Sequence, residues 1–281
     1  MDHPLTSLHP FLGLIGHWLL GIVQDLFERD FATPIAGIRT KRDGTPVGDL
    51  DLAIAESCHQ TLGPFLQVVT EEDDNVAWPP QDGQPTVLLD PLDGTKNHAN
   101  GVLDYGSVIA LCEKGQVTAS AILMPAQQGL ASNGLFVAAH GRGAFRFNSA
   151  TKEFMPLHVS RRSDLSQAYI VFKGPRRTEK TCTERARVIA ASRDHRGNPL
   201  SAASAGVLVA SGEYFPTPGD ALFAVDDHPW DNLAQALLIE EAGGKVTDFQ
   251  GQPWNLTTRN IVAANPTLHA AILAAMHNPK E

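Results

Sequence analysis

Apolar residues near the beginning of the chain recur at intervals of three and four positions, the period of an α-helix with one buried face. The pattern is carried by Phe11, Leu14, Ile15, Trp18, Leu19, Ile22, Val23 and Leu26. No charged residue occurs between Leu5 and Gln24, as in membrane spans, but the stretch contains Pro10 and His17 and no basic segment precedes it. We therefore predict an amphipathic first helix packed on a core, rather than a signal peptide or a span.

The rest of the pattern predicts a mixed α/β fold. A helix is expected over 49–62, ended by Gly63-Pro64, and short apolar runs predict strands over 65–70, 86–89, 105–113, 116–124 and 135–139. Their glycine turns favour an antiparallel meander. From about residue 168 strands and helices alternate, with strands over 169–172, 221–225, 245–247 and 260–264 and helices over 181–191, 202–211, 232–242 and 266–276.

Composition narrows the class of protein. The 281 residues are 43% hydrophobic, which excludes a disordered chain, and 31 acidic against 22 basic residues give a net charge of −9, which argues against nucleic acid as the main partner. Three scattered cysteines, Cys58, Cys112 and Cys182, are typical of reduced thiols, and we expect a cytoplasmic location. The pattern changes near residue 160 from successive strands to alternating strands and helices. We therefore predict an N-terminal α+β subdomain, 1–160, and a C-terminal α/β subdomain, 161–281.

The densest chemical signal is Asp90-Pro91-Leu92-Asp93-Gly94-Thr95, directly after the apolar run 86–89. Two carboxylates three residues apart on a tight loop, followed by small residues, can hold a hard cation and a phosphate together. The alternative is two ordinary turns, Asp-Pro and Asp-Gly. A covalent aspartyl-phosphate mechanism would need an aspartate two residues before Asp93, and Pro91 stands there, so water activated by a metal ion is favoured.

Two further carboxylates lie at predicted element ends. Glu71 follows the run 65–70, and Asp231 lies where the 232–242 helix begins. A carboxylate is favoured at a helix start by the free amides and the helix dipole, so Asp231 taken alone is more simply a capping residue. If Glu71, Asp90, Asp93 and Asp231 shared one pocket, they would repel one another unless cations were bound.

Three stretches then support a resemblance. Val69-Thr70-Glu71-Glu72, Asp90 to Thr95, and Trp230-Asp231 through Ala242-Gly243-Gly244 occur in the order that characterises the inositol monophosphatase superfamily. The similarity extends from about Lys41 to Ala264. It implies a layered α-β-α-β-α sandwich and the activity of an Mg²⁺-dependent, lithium-sensitive phosphomonoesterase.

The resemblance also implies roles for individual residues. Glu71, Asp90 and the main-chain carbonyl of Leu92 would hold one Mg²⁺, and Asp90, Asp93 and Asp231 a second, with two or three ions in all and Mn²⁺ as a possible substitute. Thr95 paired with Asp51 resembles the couple that activates water, with Glu71 as a further catalytic group. The amides of Gly94 and Thr95 would bind phosphate.

The identity of the substrate stays open at this stage. Ala224 stands where the inositol-hydrolysing relatives have a glutamate that contacts the ring, and Lys96 resembles the bisphosphate nucleotidase branch. Between Lys173 and Arg196 there are eight basic and three acidic residues, so Lys173, Arg176 and Arg177 are candidate contacts for a second phosphate or a nucleotide, or else part of a solvated surface. The resemblance adds Ser201 as a candidate substrate contact.

We expect an enzyme that hydrolyses a small phosphorylated metabolite, such as a sugar, polyol or nucleotide phosphate. The alternatives are a 3'(2'),5'-bisphosphate nucleotidase and a catalytically silent relative that binds or assembles. We expect no nucleic-acid polymer and no membrane as partners. Family resemblance suggests a homodimer.

Overall fold

The computed structural model describes residues 3–31, 37–41, 44–73, 78–80, 83–124, 134–148, 150–174, 179–192, 194–196, 200–212 and 219–277. Its helices are α1 (Pro10–His17), α2 (Gln24–Phe31), α3 (Asp49–Leu62), α4 (Thr95–Ala99), α5 (Glu179–Ala191), α6 (Ala202–Ser211), α7 (Pro229–Glu241) and α8 (Pro266–His277). A π-helical segment, Trp18–Val23, joins α1 to α2, and short 3₁₀ helices lie at Pro4–Ser7 and Leu165–Gln167.

A seven-stranded sheet forms the first half of the molecule. Its order is β3 (Gln67–Thr70), β4 (Thr86–Asp93), β5 (Gly106–Glu113), β6 (Gln116–Met124), β7 (Gly134–Ala139), β8 (Gly143–Phe147) and β9 (Phe154–Pro156). Only β3 and β4 are parallel; every later pair is antiparallel, which confirms the predicted meander. The sequence pattern missed β8 and β9, which follow a turn at residues 140–142.

A five-stranded sheet lies in the second half. Its order is β11 (Asp194–Arg196), β10 (Tyr169–Lys173), β12 (Ala221–Ala224), β14 (Ile261–Ala264) and β13 (Lys245–Thr247), while β1 (Arg39–Thr40) and β2 (Pro46–Val47) form a separate ribbon. The two large sheets fall on either side of residue 160. The division into two subdomains there stays a prediction.

Alternating side chains stack these elements into five layers. On β4, Val87 and Leu89 pack with the N-terminal helices and α3, whereas Leu88 joins the core formed with α6 and α7. The small sheet alternates in the same way, with Val171 facing that middle core and Ile170 facing α5 and α8. The predicted α-β-α-β-α sandwich is confirmed.

The first helix packs on the core as predicted, with Phe11, Ile15, Trp18, Leu19 and Val23 buried. The predicted apolar face was wrong in part: Leu12 is buried, whereas Leu14 is 40% and Ile22 45% exposed. Ile22 lies in the π-helical segment, whose wider turn changes which side chains face the core, whereas Leu12 and Leu14 precede that segment in α1. The helix Pro10–Asp30 is long and apolar enough to cross a membrane, a test that core helices also pass, and half of its apolar window is buried in the protein.

Candidate metal centre and active site

Asp90 and Asp93 both lie at the end of β4, on either side of an irregularity in the strand. The pairing of β4 with β5 is in register up to Asp90 and shifts between Asp90 and Asp93, because the Asp90 Oδ1 atom accepts a hydrogen bond from the Leu92 amide at 3.0 Å. Gly94 follows with φ +93°, and a Cβ there would lie 2.7 Å from the Asp104 carbonyl oxygen. Only glycine fits this turn. The strand is therefore four residues longer than predicted.

Asp231 completes a cluster with the two β4 aspartates. It lies in the first turn of α7, where the His228 amide donates to its Oδ2 at 3.2 Å. One carboxylate oxygen from each of Asp90, Asp93 and Asp231 lies within 4.8 Å of the others. We call these three residues the carboxylate cluster. Asp231 is thus both a helix-capping residue and a member of the cluster, so the two readings of the sequence are compatible.

The electrostatics of the carboxylate cluster are unfavourable for the protein alone. Burial raises the pKa of Asp90, and the negative charges of Glu71, Asp93 and Asp231 raise it further. The pKa of Asp231 is raised by burial and by Asp227 and Asp93. Three carboxylates of this kind are the donor set that Mg²⁺ prefers, and a divalent cation would remove the repulsion, so the residues present fit the expected metal.

Glu71 directly follows β3 but is engaged by a lysine. The Lys41 ammonium lies 2.9 Å from Glu71 Oε1 and 2.8 Å from Glu72 Oε1, and all three side chains are largely buried. Burial raises the pKa of Glu72 to about 7, and the bonds from Lys41 oppose that rise. Among the described residues Glu71 lies outside the 4.8 Å group. The sequence reasoning missed Lys41, which lies 30 residues away on a turn-rich loop.

Thr95 and Asp51 are brought together as the resemblance implies. Thr95 begins α4, and its hydroxyl lies 2.8 Å from Asp51 Oδ1 and 2.9 Å from the carbonyl oxygen of Leu92, both of which are acceptors for its proton. The other carboxylate oxygen of Asp51 accepts the Gly48 amide at 2.9 Å. Asp51 is 1% exposed. Burial raises its pKa to about 6, although the hydrogen bonds from Thr95 and Gly48 act to lower it.

A second region borders the carboxylate cluster at the beginning of α6. It consists of Lys173, Leu200, Ser201 and Ala224, and we call it the lysine region. The Lys173 ammonium donates to the Leu200 carbonyl at 2.5 Å. Burial raises the pKa of Asp93 and the charge of Lys173 opposes this rise, which places Lys173 near the carboxylate cluster. The other basic positions considered with it, Arg176 and Arg177, lie outside the described residues.

Ser201 is held by the protein itself. It is 2% exposed and caps α6, where its hydroxyl accepts the Ser204 amide at 3.0 Å. Asp104, which the sequence reasoning missed, accepts the Ser201 amide at 2.9 Å and bonds the Ser204 hydroxyl. Asn97 of α4 donates to the Asp104 carbonyl at 2.9 Å. Asp104 therefore ties α4 to α6, and the role of Ser201 in substrate binding stays a prediction.

Comparison with known proteins agrees with this geometry. The chain is 30% identical over 265 residues to the Nus factor SuhB of Escherichia coli, covering 90% of this chain and 91% of the relative. It is 29% identical over 248 residues to a histidinol-phosphatase of Chlorobaculum parvum, covering 85% and 86% of the two chains.

The solved structures include one of the same fold with a bound metal. An IMPase/NADP phosphatase complexed with Mg²⁺ and phosphate matches with a TM-score of 0.77 at 21% identity, covering 98% of this chain and 97% of the other. The sequence model described as the inositol monophosphatase family matches residues 22–281. These matches confirm the predicted family and its assignment to a class of phosphatases. The chain belongs to the inositol monophosphatase family.

Proposed function

We propose that the chain is an Mg²⁺-dependent phosphomonoesterase that hydrolyses a small alcohol phosphate. The observation that carries the proposal is the carboxylate cluster, three oxygens within 4.8 Å, beside a hydroxyl–carboxylate couple. Asp90, Asp93 and Asp231 would hold the metal, with Glu71 and the Leu92 carbonyl as further ligands. Divalent ions bound there would supply Lewis-acid chemistry, acidifying a water molecule and stabilising charge on the phosphate and the leaving oxygen.

The protein's own groups prepare the attack of water. Because Thr95 donates its proton to Asp51 or to Leu92, its oxygen lone pairs are free to accept a hydrogen bond from a water molecule and orient it. Asp51, with its pKa raised to about 6, is ionised at neutral pH and basic enough to take up a proton passed through the hydroxyl. The amides of Gly94 and Thr95 are the proposed phosphate contacts.

A bisphosphate nucleotidase is the second candidate within the same chemistry. Lys173 favours it, because its ammonium near Asp93 provides positive charge for a second phosphate. A catalytically silent, binding relative is the candidate of another class, since the Escherichia coli relative is named a Nus factor. The absence of a nucleic-acid or membrane partner, a cytoplasmic location and a homodimer stay predictions.

The proposal is tested by phosphate release with Mg²⁺ from inositol monophosphate, sugar phosphates, adenosine 3'-phosphate and adenosine 3',5'-bisphosphate. We expect hydrolysis of at least one ester, and its loss in Asp93→Asn and in EDTA. Asp25→Asn is the matched control, because Asp25 is an exposed aspartate whose partner is Arg29. If the wild type, Asp93→Asn and Asp25→Asn are equally inactive on every ester, the silent alternative replaces the phosphatase.

A further inference from the structure

The ends of β10 and β12 form the floor of the lysine region. The two strands are parallel, and Lys173 is in register with Ala224. Register partners point to the same face of a sheet, here the face where Val171 and Leu222 meet the middle core. Ala224 is fully buried and has no polar group, so of this pair only Lys173 can bind a substrate by charge or hydrogen bond.

The Lys173 ammonium and the Asp93 carboxylate are held by the same helix start. Lys173 donates to the Leu200 carbonyl, immediately before the capping residue Ser201, and the Ala203 amide donates to Asp93 Oδ2 at 2.5 Å. The cation is therefore fixed beside a proposed metal ligand. An ammonium has three donors, and among the described residues Leu200 is the acceptor given for one of them, so the group can also donate to a ligand.

The charges around Lys173 leave it positive towards a ligand. Asp226 is paired with Arg259 at 2.7 Å, and Asp104 bonds Ser201 and Ser204. Three further acids act on Lys173. Asp93 and Asp231 are proposed metal ligands, whose charges the bound cations would offset. Asp227 is 9% exposed, and its Oδ2 is buried with no hydrogen-bond partner among the described residues. Lys173 itself is partly exposed, whereas Asp227 is buried.

Resting on the proposed function, we propose that Lys173 selects phosphomonoesters whose alcohol part carries a second negative charge. The shared chemistry is an anionic oxygen group, either a carboxylate or a second phosphate, bound by the ammonium. Neutral polyol phosphates and esters of amino alcohols are then poorer substrates, because the ammonium gains no charged partner from the former and repels the latter.

Two matched pairs of esters test the proposal. Glycerate 2-phosphate differs from glycerol 2-phosphate by a carboxylate, and adenosine 3',5'-bisphosphate differs from adenosine 3'-phosphate by a second phosphate. With Mg²⁺ we expect at least one anionic ester to exceed its neutral partner about tenfold or more in kcat/KM. The pair that shows the preference identifies the source of the charge. Phosphoethanolamine, whose alcohol part carries a positive charge, should be the poorest substrate of the set.

Variants at Lys173 separate charge from structure. Lys173→Met should bring the ratio within a pair close to one, because it should lower kcat/KM for the anionic ester more than for its neutral partner. Lys173→Arg should retain the preference, and Lys173→Glu should invert it in favour of phosphoethanolamine. Lys245→Met is the matched control, an exposed lysine at the edge of the same sheet, and should change nothing.

Two results would overturn the proposal. One is a wild-type ratio near one in both pairs. The other is an equal loss on every ester in Lys173→Met, which would mean that Lys173 only fastens Leu200. A failure of the proposed function is distinguishable, because it abolishes phosphate release from all esters. Calorimetric binding of the same pairs to Asp51→Asn then decides: a preference for the anionic ester upholds the selection by Lys173, and equal binding refutes it.

Discussion

The carboxylate cluster and the lysine region meet at the start of α6 but differ in construction. The cluster takes two of its three members from the end of a single strand, β4, with Asp90 and Asp93 three residues apart. The lysine region draws on the ends of β10 and β12 and the beginning of α6, which are joined only by tertiary packing. The comparison suggests that the chemistry is fixed by a local motif, whereas substrate choice depends on residues that can change separately.

The largest effect on activity is expected from a change at Asp231, a member of the carboxylate cluster. Asparagine retains the oxygen that accepts the His228 amide but loses the charge needed for a metal ligand. We expect Asp231→Asn to lower kcat/KM about a thousandfold on neutral and anionic esters alike. It should also raise the Tm of the metal-free protein, because burial and the charges of Asp227 and Asp93 raise the pKa of Asp231. Steady-state kinetics on both ester pairs and thermal unfolding in EDTA measure the two effects. Retained activity would leave Asp231 with the capping role alone.

Asp51→Asn should have the next largest effect. The variant keeps a side chain of the same shape beside Thr95 but removes the base, so kcat should fall about 10²- to 10⁴-fold. Binding of Mg²⁺, followed by calorimetry, should stay within about threefold of wild type, because Asp51 bonds Thr95 and Gly48 rather than the proposed metal. A parallel loss of Mg²⁺ affinity would assign Asp51 to the metal site instead.

The same difference in construction explains what the sequence could predict. The bounds of α3 and α6 were predicted correctly, because apolar period and flanking capping or stop residues agree there. Asp90 and Asp93 were found because a short sequence motif holds both of them, whereas Asp231 was assigned to the site only through the resemblance. Lys41 was missed, since nothing in its local sequence shows that the chain returns it to Glu71, and Asp104 was missed because its partners lie about a hundred residues away.

Removal of the Asp90 charge should have opposite effects on stability and on function: it should stabilise the metal-free protein and weaken the proposed metal site. Burial and neighbouring carboxylates raise the folded-state pKa of Asp90, so folding favours its protonated form and this contribution is lost as pH rises through that pKa. In EDTA, Asp90→Asn should therefore unfold at a higher Tm than wild type, by about 4 °C or more at pH 8, with a smaller gap at pH 5. Mg²⁺ should stabilise wild type more than the variant.

The pH series contains its own control. The histidines whose pKa is lowered by burial, such as His269, are present in both proteins, so they cancel in the difference. A gap that does not widen with pH would mean that the carboxylate cluster is not strained without metal.

The smallest effect is expected from a change at Ser201, which tests whether this part of the lysine region contacts substrate. Its hydroxyl already accepts the Ser204 amide and lies 3.3 Å from Asp104. Ser201→Ala should therefore lower the free energy of unfolding by about 0.5–2 kcal/mol, the usual cost of a lost helix cap, and Ser201→Thr should restore most of it. Because the buried hydroxyl is occupied, we expect KM for glycerol 2-phosphate to change less than about twofold. A rise in KM that Ser201→Thr reverses would instead support the predicted contact with substrate, and would extend recognition from the Lys173 charge to the start of α6.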